Sequence, residues 1–306
     1  MKNMNNLLHN SQTKHAGWVT RFAPSPTGFL HLGHVASALY GWQKAQPDGE
    51  WFVRLEDIDT QRCKPEFIPA ILQDLEWLGL CSARPVLRQS VNMPAYQATL
   101  ARLDAMGVLY PCFCTRSDIL RESAAIFSAP HTAPDGSLCY PGTCRHLSDQ
   151  ERQERISQGQ PHMLRLNMSK ALQWINQCTR GAPLTYQDQE RGTVLCYPEL
   201  FGDVVLARKD IPASYHLCVT HDDAAQGVTL VTRGEDLRPA TDLHRVLQAL
   251  MGWNVPDYSF HPLLCNAEGR RLAKRDGALA VRAMRKAGLS AEDVRCKAGF
   301  PHIFER

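Results

Sequence analysis

The chain has 306 residues, of which 44% are hydrophobic, so it can bury a substantial core as one large domain or two modest ones. Its formal net charge of +3 does not by itself indicate a nucleic-acid-binding protein. The sequence contains no apolar run near the roughly 20 residues that span a bilayer, and its polar start lacks the pattern of a signal peptide. These features argue against a membrane-spanning protein and predict a cytoplasmic one with no membrane partner.

The first part of the chain alternates strand and helix patterns after a loose tail over residues 1–17. Three stretches have apolar residues at helical spacing, and two shorter ones are rich in strand-forming residues. In chain order these are the strand WVTRFAP (18–24), the helix LGHVASALYGWQKA (32–45), the strand WFVRLEDID (51–59), and the helices PEFIPAILQDLEWLGL (65–80) and MPAYQATLARLDAMG (93–107). This order predicts an α/β fold, with a parallel sheet and helices on its faces.

The second part mixes strands and helices after a loop-rich segment, residues 112–147, which is predicted to be a separate small insertion. The remaining predicted elements are the strands PHMLRLNM (161–168), GDVVLARKD (202–210), YHLCVTHDD (215–223) and GVTLVTRG (227–234), the helix TDLHRVLQALMG (241–252), and HPLLCNAEGRRLAKRDG (261–277), a strand that leads into a basic loop. Residues 278–306 are long enough for one or two short helices.

The first motif that carries chemistry is RFAPSPTGFLHLGH (21–34), where a strand turns into a helix. Backbone N–H groups and the positive end of the helix dipole make such a turn a site for anions. His31 and His34 can donate hydrogen bonds to phosphate oxygens, and Gly33 leaves room for a nucleotide against the backbone. A bare H-x-G-H, however, is about as often an ordinary turn with two surface histidines.

Two charged motifs stand at the ends of other predicted strands. Glu56, in RLEDID, could hold an ammonium group at the edge where open α/β sheets bind ligands, although a solvated acidic turn is the commoner case. Arg233, in VTRGEDL, has the planar fork that binds a carboxylate, although a lone arginine is more often in a surface ion pair. Together with Arg21 it would favour a ligand with a carboxylate over one with an amide, since an amide would leave guanidinium charge unpaired.

The eleven cysteines need a role other than disulfides in a reducing compartment, and the isolated ones are predicted to be small buried apolar residues. Four are clustered: Cys112, Cys114, Cys139 and Cys144. A C-x-C pair followed by further cysteines can form a tetrahedral zinc site. Coordination chemistry favours Cys139 as the fourth ligand, and His131 and His146 are weaker candidates.

Four motifs, in the same order, resemble those of the glutamyl- and glutaminyl-tRNA synthetases. RFAPSPTGFLHLGH resembles their HIGH signature, with Leu32 in place of isoleucine, and RLEDID resembles their RIEDTD segment. YHLCVTHDD and GVTLVTRGEDL resemble the stretches that line the amino-acid pocket. The basic run RRLAKRDG (270–277) resembles the KMSKS-type loop, but Arg271 and Ala273 replace a lysine and a serine, so closure on ATP could be weaker.

The resemblance implies a Rossmann-like class I synthetase catalytic domain, and it implies a role for individual residues. The implied sites are His31, His34 and Lys274 for catalysis; Arg21, Ala23, Ser25, Glu56, Tyr215 and Arg233 for glutamate; His31, Gly33, His34 and Lys274 for ATP; and Cys112, Cys114, Tyr140 and Cys144 for one structural zinc ion. The tyrosine replaces Cys139 as a ligand because short members of the family carry C-x-C…Y-x3-C.

The implied domains are residues 18–111 as the first half of a nucleotide-binding catalytic domain, 112–147 as a zinc-binding insertion, 148–277 as an acceptor-type region and the second half with the KMSKS-type loop, and 278–306 as a short helical segment. No anticodon-binding domain follows, so the sequence resembles the short glutamyl-queuosine tRNA(Asp) synthetases. That resemblance implies a monomer that activates glutamate with ATP and Mg²⁺ without tRNA, and then transfers it to the cyclopentene-diol of queuosine at the wobble position of tRNA(Asp).

Three alternatives remain open at this point. The chain could be a truncated glutamyl-tRNA synthetase that charges the 3′ end of a tRNA. It could be a small-molecule ligase with the same H-x-G-H fold, such as a pantoate-activating enzyme, although Arg233 and the cysteine cluster argue against this. It could also be a non-catalytic zinc-binding RNA module, which only the altered basic loop favours.

Overall fold

The computed structural model of the chain describes residues 17–125, 132–265 and 279–304. These residues form ten β-strands and ten α-helices. The strands are β1 (Val19–Phe22), β2 (Glu50–Leu55), β3 (Leu87–Arg88), β4 (Leu109–Cys112), β5 (Met163–Leu166), β6 (Thr185–Asp188), β7 (Gly192–Leu195), β8 (Val205–Ala207), β9 (Leu230–Gly234) and β10 (Asp257–His261). The helices are α1 (Leu32–Ala45), α2 (Phe67–Trp77), α3 (Met93–Ala105), α4 (Arg116–Ala125), α5 (Asp149–Ser157), α6 (Met168–Thr179), α7 (Tyr215–Ala225), α8 (Ala240–Met251), α9 (Val281–Lys286) and α10 (Ala291–Lys297).

Parallel strands form the centre of the fold, as predicted. β2 pairs with β1 and β3, and β10 pairs with β9 and β6, all in parallel. The amide of Thr229 donates to the carbonyl of Val19 (3.0 Å), so β9 begins beside β1 and connects the two groups of strands. The order across the centre is therefore β3-β2-β1-β9-β10-β6. The antiparallel strand β7 pairs with β6 at one edge.

The predicted helix over residues 32–45 is confirmed at both ends. His31 is its N-cap: His31 Nδ1 accepts from the amide of Gly33 (3.2 Å), and His34 Nδ1 accepts from the amide of His31 (3.3 Å). This reciprocal pair satisfies amides that the first turn of a helix otherwise leaves without partners. The helix buries Val35, Ala36, Ala38 and Leu39 in an apolar cluster with β2. The same two histidines therefore fix the start of the helix and stand at its N-terminus.

The prediction of a strand over YHLCVTHDD was wrong, because these residues begin the helix α7 (Tyr215–Ala225). Ser214 caps it by accepting the amide of Leu217 (3.3 Å). Burial surrounds the helix on several sides, so the apolar residues do not recur at a clean helical spacing. The helical turn brings Asp222 and Asp223 to the same end of α7, facing the sheet, which a strand could not have done because its neighbours point to opposite faces.

Other elements differ from the sequence prediction in position. The last strand, β10, ends at His261, where a strand was predicted to begin. The hairpin of β6 and β7 and the helix α6 were not predicted, since β7 is largely exposed and lacks a buried alternation. The short helices α9 and α10 confirm the expectation for residues beyond 278, and they pack beside α1 through Val281, Met284 and Val294.

The segment 112–147 lies beside a second sheet in which β5 pairs antiparallel with β4 and β8. It contains α4 and has a small apolar cluster, separate from the two larger ones: Tyr110, Cys112, Phe113, Tyr140 and Cys144. None of the helices in the described part of the chain is both long and apolar enough to cross a membrane.

Candidate active site

A cavity of about 1610 Å³ opens at the carboxyl ends of the parallel strands. Its wall includes the turn after β1, the residues after β2, the start of α7 and the ends of β9 and β10. Open α/β sheets bind ligands at this edge. Every described residue that was predicted to contact glutamate or ATP lies on this wall: Arg21, Ala23, Ser25, His31, Gly33, His34, Glu56, Tyr215 and Arg233. Motifs more than 200 positions apart in the sequence thus meet in one place.

His31 and His34 stand at the N-terminus of α1, with their ring centroids 3.8 Å apart. Each Nδ1 accepts a hydrogen bond from a backbone amide. A neutral imidazole whose Nδ1 accepts carries its proton on Nε2. Both Nε2 atoms are therefore donors, which is the polarity that a phosphate oxygen requires, and they lie at the positive end of the helix dipole.

The described residues before and after the basic loop lie at the cavity or beside its histidines. Ala280 forms an isolated antiparallel bridge with His31. Before the loop, residues 261–264 line the cavity. Lys274, predicted to bind ATP, lies outside the described residues.

A buried network of charges lies behind the cavity wall. Arg21 donates from Nε and Nη2 to both oxygens of Asp223 (2.8 and 3.1 Å), and Arg54 donates from Nη2 to the same carboxylate (2.8 Å). The Nε of Arg54 lies 3.8 Å from Asp222, and its Nη2 lies 3.8 Å from Glu56. Two guanidinium groups therefore face three carboxylates, and one negative charge is in excess. Of the three carboxylates, Glu56 is the one on the cavity wall.

The excess charge affects Glu56 in particular. Burial raises the pKa of Glu56 to about 7, against the attraction of Arg54 and Arg21. Those two guanidinium groups are engaged more closely by Asp223, at 2.8 Å, than by Glu56. A buried carboxylate with incomplete compensation favours a cation beside it. The cavity therefore presents a site for an ammonium group at the end of β2.

Arg233 has no carboxylate partner among the described residues, unlike Arg21 and Arg54. Its Nη1 lies 3.2 Å from Nδ1 of His244, and its Nη2 donates to the hydroxyl of Thr241. Its buried Nε has no hydrogen-bond partner. A buried guanidinium is costly unless an anion compensates it. Arg233 therefore marks the place where the cavity would take a carboxylate.

Four residues that hold this site were not individually predicted as site residues, although the first two lie in a stretch that resembles a pocket-lining motif: Asp222, Asp223, Thr241 and His244. The two aspartates had one signal in the sequence, because adjacent acids follow an apolar run in YHLCVTHDD. With that run predicted as a strand, one of the pair would face away from the sheet's core. Thr241 and His244 fall inside an amphipathic helix pattern, where nothing distinguishes them from ordinary helix residues.

The predicted metal ligands also come together in the structure. The thiols of Cys112, Cys114 and Cys144 all lie within 4.8 Å of one another. The hydroxyl of Tyr140 lies 3.3 Å from the Cys114 sulfur and accepts the amide of Cys144 (2.8 Å). By contrast, the thiol of Cys139 is directed to the carbonyl of Leu200 (3.4 Å). The structure thus groups the tyrosine, and not Cys139, with the three thiols.

This donor set fits a tetrahedral metal. Two thiolates at about 2.3 Å from one zinc ion are about 3.8 Å apart, close to the 3.4 Å between the Cys114 and Cys144 sulfurs. A hydrogen bond from the Cys112 thiol lowers the pKa of Cys144, and the hydroxyl of Tyr140 and the amide of Phe113 act in the same direction. The hydrogen bond with Cys144 raises the pKa of Cys112, and burial raises the pKa of Cys114. The cluster without metal therefore favours one thiolate, at Cys144, and thiolate is the form that binds metal.

Comparison with known proteins gives one consistent result. Residues 18–294 match the family described as tRNA synthetases class I (E and Q), catalytic domain. Over 283 residues the chain is 44% identical to a glutamyl-Q tRNA(Asp) synthetase of Rhodobacter capsulatus, which covers 90% of this chain and 98% of the relative. A glutamyl-Q tRNA(Asp) synthetase of Nocardia farcinica is 42% identical, with 91% and 82% covered.

A solved structure agrees with these sequence matches. A glutamate tRNA ligase from Elizabethkingia meningosepticum, in complex with its amino acid, superposes with a TM-score of 0.69 at 27% identity. The match covers 85% of this chain and 52% of that one, so the chain spans about half the length of that ligase. The chain belongs to the class I tRNA synthetases of the glutamate and glutamine group, and within that group to the glutamyl-Q tRNA(Asp) synthetases.

Proposed function

We propose that the protein activates glutamate with ATP and transfers the glutamyl group to the cyclopentene-diol of queuosine in tRNA(Asp). The observation that carries the choice of glutamate is Arg233, a buried guanidinium on the cavity wall without a carboxylate partner in the described residues. The names of the relatives support the acceptor.

Glutamate would be bound by charges at two places on the wall. Its α-ammonium would lie against Glu56, and its side-chain carboxylate against the fork of Arg233. Arg21 would contribute less directly, because Asp223 already occupies its Nε and Nη2. Ala23, Ser25 and Tyr215 line the space between these charges. The α-carboxylate would then remain free to react.

ATP, with its Mg²⁺, would lie with its phosphates at the N-terminus of α1. The Nε2 donors of His31 and His34 would meet phosphate oxygens there, and Lys274 would add a positive charge at the same phosphates. An oxygen of the glutamate α-carboxylate attacks the α-phosphorus, and the bond to the β-phosphate oxygen breaks. The products are glutamyl-adenylate and pyrophosphate, and alignment of the two reactants supplies much of the rate.

The transfer step needs no nucleophile from the protein. A hydroxyl of the diol attacks the acyl carbon of the adenylate, AMP leaves, and an ester forms. The cavity continues beyond the adenylation residues toward the segment 112–147, where Arg116, Asp135, Met163 and Arg165 form its wall. This extension offers space for a nucleoside beside the adenylate.

The test of activation is ATP–pyrophosphate exchange without tRNA. We expect exchange that depends on glutamate and is at least about 100-fold weaker with glutamine, because the amide cannot neutralise Arg233. Exchange that requires tRNA, or that proceeds as well with glutamine, would overturn the proposal.

Glutamate binding should depend on pH through Glu56. Because burial raises the pKa of Glu56 to about 7, its carboxyl is neutral below that pH and carries the charge that attracts the α-ammonium only above it. We expect the KM for glutamate in the exchange reaction to rise about tenfold for each pH unit below 7. Glu56→Gln should raise the KM at pH 8 and remove this pH step, whereas a variant that keeps the step would show that another group causes it.

We propose that Cys112, Cys114, Cys144 and Tyr140 hold one zinc ion with a structural role. The three thiols and the tyrosine hydroxyl support this set, and they lie in the small apolar cluster of the segment 112–147. Bound zinc would fix this segment at the far end of the cavity, where Tyr140 itself lines the wall.

The zinc retention of variants at positions 139 and 140 shows which of the two residues is the fourth ligand. The purified protein should contain one zinc ion per chain. Tyr140→Phe should weaken zinc retention against a chelator by about 10- to 100-fold, while Cys139→Ser should leave it unchanged because that thiol is directed to Leu200. The opposite pattern would identify Cys139 as the ligand.

A further inference from the structure

Arg233 is held by a row of three side chains that no mechanism above has used. Its Nη1 lies 3.2 Å from Nδ1 of His244, and Nε2 of His244 lies 3.3 Å from Nδ1 of His216. The hydroxyl of Thr241 accepts a hydrogen bond from Nη2 of Arg233 and donates one to the carbonyl of Arg238 (2.7 Å). Arg233, His216 and the start of α7 lie on the cavity wall, and His244 is buried behind them on α8.

The arginine fixes the proton positions along this row. A guanidinium nitrogen can only donate, so Nδ1 of His244 must accept. A neutral His244 therefore carries its proton on Nε2 and donates it to Nδ1 of His216. A neutral His216 then carries its proton on Nε2. The hydrogen bonds of the row are therefore donated in one direction, from Arg233 to His244 and from His244 to His216. Each ring nitrogen is thereby defined as a donor or an acceptor.

Both imidazoles are neutral at physiological pH. Burial and then the neighbouring Arg233 charge lower the pKa of His244 well below its usual range. Burial lowers the pKa of His216 to about 4, although Asp135 acts in the opposite direction. The hydroxyl of Thr241 is also uncharged. Every described hydrogen-bond partner of Arg233 is therefore neutral, so the guanidinium is held in place without losing its charge.

Arg21 and Arg54 show the alternative arrangement, in which a carboxylate holds the arginine. The charge of Arg21 is compensated by Asp223 in a two-point ion pair, and Arg54 shares the same carboxylate. A carboxylate orients an arginine as well as a histidine does, but it also competes with any anion that the arginine could bind. The charges of Arg21 and Arg54 are thus compensated by a carboxylate, whereas the charge of Arg233 stays available on the cavity wall.

We propose that His244 and His216 are positioning residues that orient Arg233 while leaving its positive charge available, and that they thereby set the preference of the site for glutamate over glutamine. This inference rests on the proposed function, in which Arg233 takes the side-chain carboxylate of the substrate.

The test compares substitutions of His244 that differ in charge. His244→Gln places a neutral acceptor near Nη1, and we expect its KM for glutamate in ATP–pyrophosphate exchange to stay within about threefold of the unchanged protein. His244→Glu places a carboxylate there, and we expect the KM for glutamate to rise about 10- to 100-fold and the glutamate-to-glutamine ratio of kcat/KM to fall by a similar factor. The KM for ATP should not change in either variant. His162→Gln, at a histidine that does not line the cavity, serves as the matched control.

A second variant keeps the test independent of folding. His216→Leu removes the acceptor for Nε2 of His244 at a less buried position, and we expect the KM for glutamate to rise about three- to tenfold, with the KM for ATP nearly unchanged and the melting temperature lowered by no more than about 10 °C. If His244→Glu and His216→Leu both keep the glutamate KM and the glutamate-to-glutamine ratio of the unchanged protein, the inference is wrong. If the unchanged protein shows no ATP–pyrophosphate exchange with glutamate, the result instead contradicts the proposed function itself.

Discussion

Replacing Arg233 with glutamine should raise the KM for glutamate in ATP–pyrophosphate exchange by about 100-fold and leave the KM for ATP within about twofold. Arg233 is buried, its hydrogen-bond partners in the described residues are the neutral side chains of Thr241 and His244, and its Nε is without a partner. The substrate carboxylate would supply the missing anion. The glutamine side chain of the variant is polar but uncharged, so the substitution should weaken the binding of the substrate glutamate.

Two controls sharpen this result. Arg191→Gln removes an exposed arginine from a 3.6 Å surface pair with Glu235, and should leave both KM values unchanged. Arg233→Lys keeps the charge but not the two-point fork, so its KM should lie between those of the unchanged protein and Arg233→Gln. If Arg233→Gln kept the glutamate KM of the unchanged protein, the side-chain carboxylate would have to bind elsewhere.

Replacing Asp223 with asparagine should lower the free energy of unfolding by about 3–5 kcal/mol. Burial alone would raise the pKa of Asp223, but Arg21 and Arg54 hold it below its usual value, so the residue is a carboxylate in the folded protein. Its oxygens accept from Arg21 and Arg54 at 2.8–3.1 Å. Asparagine has nearly the same shape but no charge, and it would remove the one carboxylate that accepts close hydrogen bonds from both buried guanidinium groups.

Urea unfolding followed by circular dichroism measures this loss. Asp118→Asn is the matched control, because Asp118 pairs with the exposed Arg121 on the surface, and we expect its free energy of unfolding to stay close to that of the unchanged protein. A free energy of unfolding that is equal for Asp223→Asn and the unchanged protein would mean that the network is not needed for stability. Glutamate exchange should also weaken in Asp223→Asn, since Arg21 and Glu56 depend on the same network.

Local signals in the sequence predicted the parts of the fold that depend on neighbouring residues. The turn of prolines and glycine before His31 and the apolar spacing after it gave both ends of α1. Glu56 follows β2 and Arg233 lies near the end of β9, at the edge where open sheets bind ligands, but only the resemblance to synthetase motifs assigned both residues to the site. In each case the signal lies within a few residues of the feature that it predicts.

The remaining features depend on partners distant in the chain, which a single sequence does not reveal. Arg21 could be predicted as a charged residue of the site, but its pairing with Asp223 spans 202 positions and determines that its charge is already compensated. Burial on several sides of α7 removed the apolar period that would have predicted a helix. Spacing alone did not decide between Cys139 and Tyr140 as the fourth ligand. In the structure the thiol of Cys139 is directed to the carbonyl of Leu200, whereas the hydroxyl of Tyr140 lies beside the Cys114 sulfur.

The central claim is that the protein attaches glutamate to queuosine, and one labelling experiment tests it directly. The protein is incubated with radiolabelled glutamate, at a concentration near its KM, ATP and tRNA from queuosine-sufficient or queuosine-deficient cells, with Arg233→Gln as the control with weakened glutamate binding. The tRNA is then digested and the labelled fragment identified. We expect label on the anticodon fragment of tRNA(Asp) from sufficient cells and none with deficient tRNA. Label on the 3′-terminal adenosine, or equal labelling of both tRNA preparations, would contradict the account.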